Sequence, residues 1–236
     1  MKLKSFRKVS NLIIVFMFAV IILYMGASSY SYAFAYQNED VIYNGDRTSN
    51  KVSIMFNVYW GTEFIKDILD TLDKYNVKCT FFVGGMWVEK EHELLIEIYK
   101  RGHEIANHGY FHKDQEYLNY DQNKEEIEIT HKLVSSILNG YEMRLFAPPS
   151  GSFNKATLEA SKDLGYSTIM WSKDTIDWRD KDANLIFNRA TSKVTGGELI
   201  LAHPTEMTLK ALPLILEYYS INNLMACTVS ENLNLN

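Results

Sequence analysis

Gly102-His103-Glu104-Ile105-Ala106-Asn107-His108-Gly109-Tyr110-Phe111-His112 packs a helix stop, a short strand and two imidazoles into one stretch. Leu94, Leu95, Ile98 and Tyr99 precede it at helical spacing, and Gly102 stops that helix because glycine accepts the left-handed turn that closes helices. Residues 103–106 then form a strand signal, with Asn107 and His108 directly after it. His108 and His112 are four residues apart, so both rings lie on one face of a helical turn or are aimed at one point by a tight loop. Neutral imidazole is the commonest protein ligand for zinc and similar metals. A histidine pair at this spacing is weak evidence alone; its meaning depends on what else the chain directs to the same point.

The helix–strand alternation extends in both directions. Residues 52–56 give a strand signal, and Phe64, Ile65, Ile68, Leu69 and Leu72 follow at helix spacing with Thr62 placed to cap. Residues 77–83 are a second strand, rich in β-branched and aromatic side chains. Beyond His112 comes a polar loop to Asp121, then a long helix marked by Ile127, Thr130, Val134, Ile137 and Leu138 that ends at Gly140. A short strand at 144–146, a loop at 148–151 and a helix from Asn154, a capping residue, to Gly165 come next. Strands at 167–171, 198–202 and 225–229 alternate with helices around 185–194 and 209–219. Such alternation implies a parallel sheet, because parallel neighbours need crossover connections. The expected fold is α/β, a compact distorted (β/α) barrel of about seven parallel strands, since ~250 residues is typical of a full barrel. An open doubly wound sheet ranks second, as the glycine-rich dinucleotide signature is absent.

Composition narrows the function classes. The 236 residues carry a net charge of -5, which argues against a nucleic-acid partner, normally met by a basic patch. Only Cys79 and Cys227 are present, so no disulfide framework is indicated. Lys2, Lys4, Arg7 and Lys8 precede an apolar run over 12–25 that is short for a membrane span, which needs ~20 residues. Ala33-Phe34-Ala35 offers a small-x-small cleavage site. Residues 1–35 are therefore expected to be an export signal or an uncleaved membrane anchor, 36–50 a linker and 51–236 one exported domain.

The polar residues immediately after the strand signals are the decisive pattern. They are Asn57, then Asn107-His108, then Ala147-Pro148-Pro149-Ser150-Gly151, then Ser172-Lys173-Asp174 with Asp177-Trp178, then His203-Pro204. In a parallel barrel these positions converge at the C-terminal face, where active sites are built. His108 and His112 could there hold a metal and leave positions for water and substrate. His203 could act as a general acid with a nearby aspartate orienting its ring, and Trp178 could wall a pocket or stack on a sugar. No cysteine or serine stands in a nucleophile's setting, so metal-assisted hydrolysis leads. Trp60, Trp87 and Trp171 are expected to be packing residues. His92 and His131 are expected to be solvated, and Glu125, Glu126 and Glu128 to form a solvent-facing helix surface.

These stations resemble the polysaccharide deacetylase family, the NodB-homology, carbohydrate esterase 4 type. Cys79-Thr80-Phe81-Phe82-Val83-Gly84-Gly85 is similar to its ATFFxxG strand, and the stretch from Gly102 to His112 to its metal-binding histidine motif. Ala147-Pro148-Pro149-Ser150-Gly151 is similar to its RxPPYG loop, Asp174-Thr175-Ile176-Asp177-Trp178 to DxxDW, and Leu201-Ala202-His203 to LxH. The phrasing from Asn57 to Gly61 looks most like sporulation-associated members from Gram-positive bacteria. The resemblance implies a distorted (β/α) barrel that hydrolyses acetyl groups from glycans such as peptidoglycan or chitin. A divalent metal, usually zinc, would be held by His108 and His112. His203 would be the general acid, supported by Asp177 and Trp178, with Leu201 lining the acetyl pocket and Pro148 and Pro149 beside the substrate.

The first motif departs from this pattern. The family reads TFDDG, a catalytic base followed by a metal ligand, where this chain has Asn57 and Val58. An amide cannot take the water's proton at neutral pH, and valine cannot bind a metal. Ala147 replaces the arginine that orients the base in the family. General-base catalysis contributes ~10²–10⁴-fold, so its loss would cut turnover without removing metal polarisation. Two compensations stay open: the amide oxygen of Asn57 joining the metal, or Asp174 standing in as base. Two functions are compatible with this: a metal-dependent deacetylase acting on carbon–nitrogen bonds with an altered base, or a catalytically silent glycan-binding protein of the cell envelope or spore.

Overall fold

Strand β2 (Lys51–Val58), the longest in the sheet, lies between β3 (Thr80–Val83) and β8 (Leu199–Ala202), parallel to both. The structure, a computed structural model, describes residues 40–235 together with Met17 and Val20. In chain order the remaining elements are β1 (Val41–Ile42), α1 (Thr62–Lys74), α2 (Gly85–Lys90), α3 (His92–Lys100), β4 (Glu104–Asn107) and α4 (Tyr120–Ile137). They continue with β5 (Leu145–Phe146), α5 (Lys155–Asp163), β6 (Ser167–Ile169), β7 (Lys173–Asp174), α6 (Ala183–Thr191), α7 (Glu206–Ile221), β9 (Met225–Ala226) and α8 (Val229–Leu233). The sheet order is β1-β6-β5-β4-β3-β2-β8-β7, with β9 beside β2, and every strand pair is parallel. One segment closes it: β6 pairs with β5, then the chain bends at Met170–Ser172 and β7 pairs with β8. The seven strands β2 to β8 thus form the wall of a distorted (β/α) barrel.

Strand alternation divides the core into two layers. Along β2, Val52, Ile54, Phe56 and Val58 join the helices' apolar cluster, while Met55 packs inside the barrel with Phe82, Ala106, Leu145, Ala147, Ile169 and Leu199. Helix α8 closes the N-terminal end. Its Val229 enters the inner cluster and donates from its backbone N–H to Thr80 Oγ1 at 2.7 Å, and Ser230 hydrogen-bonds Glu104 through both hydroxyl and backbone N–H.

Several expectations are corrected. The linker expected over 36–50 is part of the domain body from residue 40 onward: β1 pairs with β6, Val41 is buried, and Asn44 bridges to Glu198. Thr62 does not cap α1. Gly61, at φ 77, holds the N-cap position, and the Thr62 hydroxyl instead accepts from the Trp87 indole at 2.9 Å. The strand expected over 225–229 stops at Ala226, because the Thr228–Glu231 capping box starts α8. The β3 strand begins only at Thr80, and the short helix α2 takes up residues 85–90 behind it. By contrast, Asn154 caps α5 as expected, its side chain accepting from Thr157 N. The signal or anchor expected over 1–35 lies, but for Met17 and Val20, outside the described residues. Among the described residues no helix is long and apolar enough to cross a membrane.

Candidate active site

The inward positions at the C-terminal ends of the strands carry the polar groups. Asn57 is the inward residue after Met55 on β2, and His108 follows β4, where Ala106 points inward. Leu201 and His203 come in the same way from β8, where Leu199 faces the interior. Together with His112, Ser150, Asp174 and the indoles of Trp60, Trp171 and Trp178, they line one cavity of about 400 Å³.

The histidine turn is held from behind by groups on other elements. Asn107 points to the helix side, donating to Ile127 O at 2.8 Å and Tyr166 Oη at 3.3 Å, while its Oδ1 accepts from Gly109 N at 2.9 Å. Glu126 of α4 is buried, and its Oε2 accepts from Tyr110 N at 2.9 Å and Phe111 N at 2.7 Å, with Lys113 Nζ 3.0 Å from the other oxygen. That anchored turn delivers His112 at φ 55, a left-handed conformation uncommon outside glycine. Its ring meets His108 edge-on at 5.1 Å between centroids and lies 4.8 Å from the Tyr59 ring. His108 Nδ1 hydrogen-bonds Ala147 O at 2.7 Å, which directs the other ring nitrogen toward the cavity. Burial, then the neighbouring His112, push the His108 pKa down to about 3, and burial lowers that of His112 as well. Both rings are therefore neutral at pH 7, the form that binds metals.

On the opposite wall, Asp177 grips His203. Its Oδ1 is 2.8 Å from His203 Nδ1, and its Oδ2 accepts from His203 N at 2.6 Å and Thr208 Oγ1 at 2.5 Å. The turn carrying Asp177 puts Ile176 at φ 54, a strained setting for a β-branched residue. It is held by Ile176 N donating to Asp174 Oδ1 at 2.7 Å and by Arg189 donating to Thr175 O at 2.8 Å. Asp174 is half-buried, and burial raises its pKa. The Trp60 ring stacks on His203 at 5.5 Å with a 7° interplanar angle.

The donor set suits a divalent metal only in part. Two neutral imidazoles converge, and Asn57, 4% exposed, has an amide oxygen with no hydrogen-bond partner. Among the described residues, however, no group of three His, Cys, Asp or Glu side chains gathers to hold a metal. A site of two imidazoles and at most one neutral amide supplies no negative charge to offset the ion, so any hold is weak.

The structure brings Asn57, His108, His112, Trp178, Leu201 and His203 into one cavity, with Asp177 directly behind His203. Pro148 and Pro149 are not among its lining residues; Ser150 of the same loop is, at φ 56. Val58 is fully buried in the helix-side cluster because alternation turns it away from Asn57. Trp60 and Trp171 line the cavity and are not packing residues alone, whereas Trp87 is buried. Glu126 is buried under the histidine turn rather than solvent-facing. His131 bonds Tyr166 Oη at 2.5 Å rather than being solvated. Helical spacing could have flagged Glu126, since it sits beside Ile127 and four residues before Thr130, both buried.

Residues 44–169 match the family model described as polysaccharide deacetylase. The chain is 36% identical over 190 residues to the protein YlxY of Bacillus subtilis (strain 168), covering 80% of this chain and 59% of that one. It is 31% identical over 176 residues to a peptidoglycan-N-acetylglucosamine deacetylase of Bacillus cereus, covering 75% and 60%. The chain thus spans about three-fifths of the length of these curated relatives. The crystal structure of a CE4 family pseudoenzyme from Bacillus anthracis superposes with a TM-score of 0.79 at 32% identity, covering 82% of this chain and 68% of that one. A mutant of that pseudoenzyme is described as having restored enzymatic activity.

Proposed function

The chain belongs to the polysaccharide deacetylase family, and we propose that within it this protein binds N-acetylated cell-wall glycan at a pocket whose base has been removed. The observation that carries this reading is Asn57: a buried amide with an unpartnered oxygen stands where a base would face the His108–His112 pair. The acid side is complete, with Asp177 orienting His203. The base side lacks its carboxylate, its second motif position points into the apolar layer, and Ala147 offers only its backbone oxygen to His108. Leu201 and the indoles give the apolar walls an acetamide and a pyranose ring require. A divalent metal, zinc by ligand type, would rest on His108 and His112 and polarise an acetyl carbonyl when bound. His203 would hold a proton for the leaving nitrogen, and Asn57 would hydrogen-bond a ligand or water without accepting its proton.

Similarity to a pseudoenzyme and to a peptidoglycan deacetylase supports both the ligand class and the loss of turnover. The basic and apolar N-terminal residues 1–35 support export to the cell envelope or spore, with the NodB-like domain running from about residue 40 onward. A second reading rests on Asp174, a carboxylate in the same cavity whose raised pKa suits a substitute base and leaves hydrolysis possible.

The experiment measures bound zinc, glycan binding and acetate release on peptidoglycan and chitooligosaccharides. Binding without acetate release is expected. Acetate release that disappears in both His108→Ala and Asp174→Asn would instead establish the second reading. Absence of binding to any acetylated glycan would sink both.

A further inference from the structure

Trp60 is an indole with two unlike faces. One is stacked flat on the His203 imidazole, and the residue remains 43% exposed at the cavity mouth. An apolar surface of this size left open to water is unfavourable, and single exposed apolar residues are common enough to mean little. Its company matters more. Among the described residues the largely exposed aromatic side chains are Trp60, Tyr99, Phe111, Tyr117 and Trp178. Tyr99 is paired edge-on with Tyr141 on the helix side. The other four all follow the C-terminal ends of strands β2, β4 and β7, on the face that bears the cavity.

The indole has a geometric reason to be where it is. Gly61, at φ 77, approaches Pro204 so closely that an added Cβ would lie 2.0 Å from its backbone oxygen. The segment after β2 is thereby pressed against the segment after β8, which sets Trp60 beside His203. Trp171, which also lines the cavity, is fixed by its contact with Gly151, where a Cβ would come within 2.7 Å of the ring. Trp178, 55% exposed, stands on the turn held by Asp174 and Arg189.

We infer that Trp60 is a ligand-stacking residue whose free face, set by its stack on His203, receives a pyranose ring of a linear N-acetylated glycan. A pyranose presents a face of weakly positive C–H groups that packs on the negative face of an indole. This assignment rests on the glycan-binding reading above. It goes further in placing one sugar ring at the β2 and β8 side of the cavity. Trp60 touches no reacting atom; it selects for a ring with an open apolar face.

Calorimetric titration of the full-length protein with chitopentaose tests it, using Trp60→Ala, Trp60→Leu, Trp60→Phe and Trp178→Ala. The expected result is ~10-fold weaker binding for Trp60→Ala and Trp60→Leu, with Trp60→Phe within about threefold of the unaltered protein. Ligand-induced change in tryptophan fluorescence should shrink in Trp60→Phe although binding persists. Leucine binding as tightly as tryptophan would overturn the assignment, showing that Trp60 only fills space over His203. Unchanged affinity in Trp60→Ala with loss in Trp178→Ala would overturn it too, while leaving the glycan-binding reading standing. No chitopentaose or peptidoglycan binding by the unaltered protein would overturn both.

Discussion

Asp177 holds His203 at two points, side chain and backbone: Oδ1 lies 2.8 Å from Nδ1, and Oδ2 accepts from the His203 N–H at 2.6 Å. Thr208 adds a third bond from helix α7 at 2.5 Å, so one buried carboxylate ties two chain segments together. Asp177→Asn exchanges one acceptor oxygen for an NH₂ group, which either leaves a donor facing a donor or forces His203 into its other ring tautomer. The expected cost is about 1–3 kcal/mol, the penalty for an unsatisfied buried polar group, read as a lower urea midpoint at unchanged m-value. A midpoint equal to that of the unaltered protein would mean the cluster is not stabilising.

Asn57→Asp returns a proton acceptor to the cavity that His203 also lines. If the missing base limits the site, acetate release in the presence of zinc should rise by ~10²-fold or more. Val58→Asp alone should instead destabilise the fold by about 3 kcal/mol or more, since it places a carboxylate in the apolar helix-side layer. Acetate assays and urea melts on the two single variants separate these outcomes.

Glu126 acts on the histidine turn from the adjacent helix. Removing it in Glu126→Ala leaves the N–H groups of Tyr110 and Phe111 without their acceptor and frees Lys113. The expected result is faster amide exchange at 110–113 and a stability loss of about 1–3 kcal/mol. Glu126→Gln keeps an acceptor oxygen and should lose less. Equal exchange rates in all three proteins would show that the turn is held by other contacts.

His103 gives the fold a pH dependence away from the cavity. Buried beside Phe81, it accepts from Cys79 N at 3.2 Å, and burial pushes its pKa down to about 4 from an ordinary 6.5. Because the folded pKa is the lower one, the unfolded chain binds the extra proton first. This contribution is therefore complete above pH 6.5 and is lost as pH falls toward 4, up to about 3 kcal/mol. Urea melts from pH 7.5 to 4 should show His103→Asn losing less stability over that window than the unaltered protein, after starting lower. Parallel curves would assign the pH dependence to other groups.

Helix α8 is the plug of the N-terminal barrel end. Ending the chain at Thr228 removes Val229 from the inner cluster, Asn232 from Ser53 Oγ, and the Ser230 bonds to Glu104. The truncated chain is expected to lose its cooperative thermal transition, measured by circular dichroism. A melt like that of the full chain would show the plug to be dispensable.

Much of this was legible in the sequence because it depends on local order. Period-two and helical spacing named most strands and helices, and strand-end polar residues named His108, His203 and Asp177 without any contact being known. Neighbouring residues along the chain also put Asn57 and Val58 where the family resemblance implies two aspartates. Packing decided the rest. Hydrogen bonds spanning many residues buried Glu126 beneath the histidine turn and tied His131 to Tyr166. The bend at 170–172 let one segment pair with β5 and β8, which closed the barrel and moved residues 40–50 from linker into sheet and body. Alternation, fixed in register only once β2 lay between β3 and β8, turned Val58 outward and left Asn57 facing the cavity alone. Residue types and spacing determine which chemistry the chain carries; the register and closure of the sheet decide which of those groups meet, because they set the side of the wall each one faces.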